Sequence, residues 1–191
     1  MRKLVYYVGV TLDGYIAGPG GEYDFYPVDP EMAGSINTEY PEFVPTQFRP
    51  QVGMALDAPN KHFDAVIMGR GTYEPGLSAG FPSPYAHLRQ YVVSSTLGRI
   101  DDPAVELVDT DPIGLVQRLK QEAGQDIWLC GGGNLAAQLL GEIDEMIIKS
   151  YPVVAGGGIS VFAGEFRPTR FAPVRRAEFG NGAQVTWFTR A

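Results

Sequence analysis

Cysteine is nearly missing from this chain. Cys130 stands alone, so no internal disulfide can form and a cysteine-built zinc cluster is excluded. Histidine is almost as scarce, with only His62 and His87, which argues against a histidine-rich metal site. Positive charge is in deficit as well. A formal balance of −7 gives no basic face for non-specific nucleic-acid binding, although a few N–H groups and one arginine can still hold a phosphate. No apolar run approaches the ~20 residues needed to cross a bilayer, so no membrane partner is expected. The opening MRKLVYYVGV passes directly into TLDG and reads as a first strand, not a signal peptide, which makes the cytoplasm the default location. Hydrophobic content of 45% with 19% charged residues is that of an ordinary globular protein. Its 191 residues, without repeat or low-complexity linker, are read as one domain spanning 1–191.

What is abundant is glycine, and its placement organises the chain. In DIWLCGGGNLAAQLL (126–140), the apolar run Ile127-Trp128-Leu129-Cys130 fits a buried strand and leads into Gly131-Gly132-Gly133. A short stretch of good helix formers follows, with Leu135 and Leu139 on one face. A strand, a glycine turn and a helix N-terminus make an anion site, because the backbone can approach closely and the first helical N–H groups point outward. The same pattern also serves as a tight connection with no ligand. The spacing Gly131-x-Gly133-x-x-Ala136 matches a loose dinucleotide fingerprint. Its acidic partner about 20 residues on is not convincingly present, which disfavours a plain Rossmann domain.

In chain order, Lys3–Val10 reads as a central strand covered on both faces. The loop Gly18-Pro19-Gly20-Gly21 leads into Glu22–Pro27, where acids and aromatics alternate. This suits a lid over a flat ligand, although on these residues alone a surface Ω loop is the favoured reading. Asp29-Pro30 starts a helix. The proline-broken stretch from Met32 to Pro50 predicts short helices, and Val52–Leu56 reads as a helix tail. Asp64–Met68 is a strand running into Gly69-Arg70-Gly71-Thr72, where backbone N–H, guanidinium and hydroxyl converge as a phosphate would require. Tyr91–Val93 is a strand ending in Ser94-Ser95-Thr96, with Arg99 close by, either a phosphate pocket or a Ser/Thr turn. Asp111-Pro112 opens an amphipathic helix carrying Leu115, Val116 and Leu119. Ile143–Ser150 is a strand, a second glycine cluster lies at 156–158, and two last strands flank the hairpin turn Gly180-Asn181-Gly182.

Together TLDGYIAG, VIMGRGTYE, VVSST, IWLCGGGNLAAQLL and IDEMIIKSYPVVAGGGISVF span nearly the whole chain. In order and spacing they resemble the dihydrofolate reductase superfamily, most closely its branch with the riboflavin-biosynthesis reductase domain (RibD C-terminal type). The resemblance implies an α/β fold with a mixed, mostly parallel central sheet, helices on both faces and a C-terminal β-hairpin. It also implies NADPH laid across the carboxyl ends of the strands. Position by position, Gly69, Arg70, Gly71 and Thr72 match the helix N-terminus that meets the cofactor's phosphates. Val93, Ser94 and Ser95 match the neighbourhood of the 2′-phosphate. Cys130, Gly131, Gly132, Gly133, Asn134 and Leu135 match the pyrophosphate loop, with a cis peptide between its first two glycines. Val10, Ile16 and Ala17, with the loop to Asp24, match the wall and lid beside the nicotinamide.

The departures lie on the substrate side. Ala136 stands where dihydrofolate reductases carry an aromatic hydroxyl, Asn134 replaces an arginine, and Asp24 falls roughly where they have a tryptophan. Their buried acid falls by ungapped counting at Asp29, which is also a natural helix cap. Asp24 and Asp29 are thus the catalytic candidates, with Tyr6 and Tyr151 as further proton sources. Arg49, Lys61 and Arg70 are the basic groups available to a ribityl-phosphate substrate. The expectation is an NADPH-dependent reductase of a small pteridine- or pyrimidine-like heterocycle, working as a homodimer. The alternative is an NADPH-binding sensor or interaction protein with little reductase activity.

Overall fold

The apolar run at the N-terminus becomes β1 (Leu4–Val10), and every other long strand is arranged around it in the computed structural model, which describes residues 1–191. In chain order the elements are β1, β2 (Tyr15–Ala17), α1 (Pro30–Glu39), β3 (Phe63–Gly69), α2 (Arg70–Ser78), β4 (Arg89–Val93) and β5 (Val105–Val108). There follow α3 (Pro112–Gln121), β6 (Asp126–Gly131), α4 (Gly133–Gln138), β7 (Ile143–Ser150), β8 (Ile159–Ser160), β9 (Phe171–Glu178) and β10 (Gln184–Arg190). Eight strands form one sheet in the order β5-β4-β3-β6-β1-β7-β10-β9. The first six are parallel, and β10 and β9 close the far edge antiparallel. β2 and β8 pair separately as a two-stranded ribbon.

Both faces of the sheet are covered, which is why its central strands read as unbroken apolar runs. On one face Val5, Val66, Met68, Trp128 and Ile147 pack with Met32 and Ile36 of α1, Phe43 and Tyr73 of α2. On the other, Leu4, Tyr6, Ile67 and Leu129 pack with Leu115, Val116 and Leu119 of α3, with Leu135 and Ala136 of α4 and with Leu139, its C-cap. Each such fully buried aliphatic side chain contributes about 1.5–3 kcal/mol. The expected mixed, mostly parallel sheet with helices on both faces and a closing hairpin is therefore what forms.

Two local expectations differ. Val52–Leu56 is not a helix tail: of the two 3₁₀ stretches in this region, Pro41–Phe43 and Thr46–Val52, the second ends at Val52 and the chain turns at Gly53 with φ 73°. Buried polar groups, not an apolar face, organise this region. The fully buried Glu42 carboxylate accepts the backbone N–H groups of Lys61, His62 (2.6 Å) and Phe63 (3.2 Å). The equally buried Arg49 donates to the carbonyls of Leu56 (3.0 Å), Ala58 (3.1 Å) and Pro41 (3.3 Å). Hydrogen bonds of this kind offset the cost of removing charge from water. β5 was also not anticipated from the sequence, being only four residues long.

Candidate functional site

The carboxyl ends of β1, β3, β4 and β6 meet along one edge of the sheet, and the glycine-bearing segments gather there. α2 and α4 both begin at this edge, directly after β3 and β6. Neither has a side-chain N-cap: Gly69 and Gly132 occupy the cap positions. The contrast with α1 and α3 is informative. There Asp29 accepts from Met32 N and Asp111 from Gly114 N, both at 2.8 Å. Helix starts without a cap leave N–H groups and the positive end of the helix dipole for another acceptor.

The two junctions touch. A Cβ placed on Gly69 would lie 3.4 Å from Gly132 N, and on Gly131 or Gly132 it would lie 3.6 or 3.7 Å from Thr72 Oγ1. Side chains at these glycines would thus fill the cleft between α2 and the glycine loop. Gly131 adopts φ 127°, outside the range comfortable for L-residues, and the Gly131–Gly132 peptide is cis, as the resemblance implies. Ile16 closes the loop from above, its Cδ1 3.9 Å from the Cβ position of Gly132.

Ile16 and Ala17 are held by the β2–β8 ribbon. Val161 N–H donates to the Gly14 carbonyl (2.9 Å), and Ala163 N–H donates to the Gly133 carbonyl (3.0 Å). The Asp13 carboxylate accepts from Thr11 Oγ1 (2.6 Å) and from the N–H groups of Ala155 (3.0 Å) and Gly156 (2.7 Å). These bonds, led by that from Thr11, lower its pKa to about 2.

Arg70 lies on the exposed side of the α2 start. Its Nε bonds Glu74 (2.5 Å) and its Nη1 bonds Thr96 Oγ1 (2.9 Å), leaving Nη2 without a partner. Ser94 is buried, and its hydroxyl accepts the N–H groups of Thr96 (3.2 Å) and Leu97 (3.0 Å), so it shapes the turn after β4. Ser95 and Thr96 are the hydroxyls on the outer surface beside Arg70. Val10 and Val93 end their strands at this edge, Leu135 is buried beneath α4, and exposed Asn134 is joined to Gln138 (2.5 Å).

Beside the glycine loop, on the sheet face that carries α1, lies a cluster of rings. Tyr7 stacks on Phe43 with centroids 3.8 Å apart, Tyr26 packs on Tyr151 at 4.6 Å, and Trp128 lies 4.8 Å from both Phe43 and Tyr85. Tyr26 donates its hydroxyl to the Tyr15 carbonyl (2.8 Å), tying the 18–26 loop to β2. Cys130 joins this group. Burial pushes its thiol up to about 12 despite a hydrogen bond with Tyr85, so it is a packing residue and not a nucleophile. Burial likewise keeps the Tyr7 and Tyr26 hydroxyls protonated, Tyr26 being raised to about 12. Tyr6 points to the opposite face and donates to the Val161 carbonyl at 3.1 Å.

Of the acids singled out in the sequence, Asp24 is exposed in a turn, while buried Asp29 caps α1 near Tyr151, whose ionisation its charge opposes. Arg49 is enclosed by carbonyls and Lys61 bonds the Thr38 carbonyl (2.7 Å), so neither is free at this edge. Sequence reasoning missed Lys149, Tyr7 and Phe43. A lysine in the penultimate place of an otherwise apolar strand end was the available signal.

The RibD C-terminal domain family model matches residues 2–185. The chain belongs to the RibD C-terminal domain family. Within reach of it are two Bacillus subtilis (strain 168) proteins of uncharacterised role. YwjB is 32% identical over 186 residues, covering 96% of both chains; YyaP is 29% identical over 186 residues, covering 95% of this chain and 91% of its own. Among solved structures, a putative riboflavin biosynthesis protein from Shewanella sp. PV-4 superposes with TM-score 0.72 at 22% identity, covering 100% of this chain and 99% of that one. The Thermotoga maritima diaminohydroxyphosphoribosylaminopyrimidine deaminase/5-amino-6-(5-phosphoribosylamino)uracil reductase superposes at 0.65 with 16% identity, this chain covering 57% of its length. Those likenesses establish the shared fold. In this RibD C-terminal domain the uncapped helix starts, the cis glycine pair and the β2–β8 ribbon all lie at the carboxyl edge of the sheet.

Proposed function

We propose that the protein is an NADPH-dependent reductase of a small planar heterocycle. The observation that carries this reading is the pairing of two uncapped helix N-termini, at Gly69 and Gly132, across a cleft that side chains on the glycines would fill. In this reading the N–H groups of Arg70 to Thr72 and of the Gly131–Gly133 loop hold the pyrophosphate. The free Nη2 of Arg70, with Ser95 and Thr96, receives the 2′-phosphate. Ile16 and Ala17 press the nicotinamide towards the end of β1. When bound, the cofactor supplies a hydride to an electrophilic carbon of the substrate. The protein's part is to orient the two rings and exclude water, which the cluster of Tyr7, Tyr26, Phe43, Trp128 and Tyr151 does on the sheet face next to the loop.

The test is a paired titration with NADPH and NADH, following melting temperature and tryptophan fluorescence. A ligand at 100 times its dissociation constant stabilises the fold by about 2.7 kcal/mol. A large shift with NADPH and a small one with NADH is expected, and Arg70→Gln should lower NADPH affinity about tenfold while leaving NADH unchanged. No shift with either nucleotide would sink the proposal. Binding without oxidation across a broad panel of heterocycles would instead favour a cofactor-binding sensor.

A further inference from the structure

Lys149 has no partner for its charge. The chain has four lysines. Lys3 pairs with Glu145 (2.6 Å), Lys61 bonds the Thr38 carbonyl, and Lys120 pairs with Asp144 (2.8 Å). Lys149 alone has neither a carboxylate nor a carbonyl partner, although it is half-buried; its polar neighbour is the Tyr151 hydroxyl. It sits next to last in β7, opposite Gly9 of β1 and Val185 of β10. Its ammonium stands 4.7 Å from the centre of the Tyr7 ring. Gly9 leaves room for the neighbouring Tyr151 ring: a Cβ there would lie 3.1 Å from Tyr151 Cε2 and in ordinary contact, 3.7 Å, with Lys149 Cε. The ammonium is also near enough to Tyr151 and Cys130 to work against the upward push that burial gives their pKa values.

A half-buried ammonium held against a ring face, with no carboxylate beside it, is incompletely compensated for the water it has lost. An anionic oxygen of a ligand restores that balance. Cys130, whose ionisation the ammonium also favours, immediately precedes Gly131 of the glycine loop, which places this cation on the substrate side of the proposed cofactor cleft. The geometry points to Lys149 as the substrate-recognition residue, and to a planar organic anion as the substrate: an aromatic or heteroaromatic ring whose carboxylate or enolate oxygen pairs with the ammonium while the ring packs among Tyr7, Tyr26 and Tyr151. This rests on the reductase reading for the reaction but not for the binding.

The experiment compares pyrazine-2-carboxylate with pyrazine-2-carboxamide, rings of one shape that differ in charge. Binding to the full-length protein is followed by fluorescence of Trp128, which lies 6.3 Å from the Tyr7 ring centre. The carboxylate should bind at least tenfold more tightly, about 1.4 kcal/mol. Lys149→Gln should abolish the preference and Lys149→Arg should keep most of it, with both variants showing the wild-type melting shift with NADPH. Equal affinities in the wild type, binding of neither ring at millimolar concentration, or a preference that survives Lys149→Gln would overturn the inference. The wild-type comparison decides even if a variant fails to fold. An absent NADPH shift would remove the reductase reading and leave the anion pocket standing.

Discussion

At the scale of single residues, His87 makes stability depend on pH. One ring nitrogen meets Thr46 Oγ1 (2.8 Å) and the other the Glu42 carbonyl (3.0 Å), an arrangement that suits the neutral imidazole, its Nε2–H donating to the carbonyl. Burial lowers its pKa from 6.5 to about 4. The unfolded chain therefore binds a proton that the folded chain refuses. The His87 contribution is complete above pH 6.5, declines as pH falls from there, and is exhausted below about 4. Urea midpoints measured across that window should fall more steeply in the wild type than in His87→Gln, and parallel curves would refute the assignment.

Glycines offer a second residue-scale comparison. A Cβ on Gly133 would collide with the Ser160 carbonyl oxygen, whereas one on Gly34 would meet nothing within 4 Å. Gly133→Ala should cost about 1–3 kcal/mol, while Gly34→Ala, in the exposed middle of α1, should stabilise by about 0.5–1 kcal/mol. Denaturant unfolding of the two variants distinguishes these outcomes. A neutral Gly133→Ala would mean that β8 yields easily.

At the scale of elements, the helix starts sort into two kinds, and the sort was half visible in the sequence. Asp29-Pro30 and Asp111-Pro112 announce capped helices that serve the fold, while Gly69-Arg70 and Gly132-Gly133 open without caps where a ligand is expected. Asp29→Ala should cost about 0.5–2 kcal/mol, and Asp29→Asn, which retains the cap, should cost little. Once a substrate is in hand, lower turnover in Asp29→Asn with unchanged stability would add a catalytic role to the structural one. The strands β1, β3 and β6 were legible because both faces of each are buried, which writes the strand into a local apolar run. The segment from Pro41 to Lys61 was not, because Glu42, Arg49 and His87 organise it through hydrogen bonds to the backbone, which carry no hydrophobic period. β5 was hidden by its shortness. Lys149 was hidden because a polar residue near a strand end ordinarily faces water, and only the alignment of β7 with β1 shows it lying over Tyr7.

At the scale of the whole molecule, the sheet is unevenly supported. β1 lies between β6 and β7 at its centre, whereas β9 is an edge strand with most of its residues exposed, including Val174 at 65%. Hydrogen exchange should be slowest in β1, β3 and β6 and fastest along β9. Slow exchange in β9 would show instead that a second copy covers this edge, the homodimer implied by the sequence resemblance. Trp187 is already engaged within its own chain: its indole N–H donates to Tyr40 Oη (2.9 Å), and the Arg175 guanidinium lies 3.5 Å from its ring centre.

The ribbon joining Tyr15–Ala17 to Ile159–Ser160 also makes two loops distant in sequence into one mechanical part. Asp13 fastens it at Ala155 and Gly156, and a side chain at Gly158 would run into the Ala17 carbonyl oxygen, so the two strips of backbone lie flush. A change in one strip should therefore register in the other: a side chain placed at Gly158 should displace Ile16 from its position over the glycine loop.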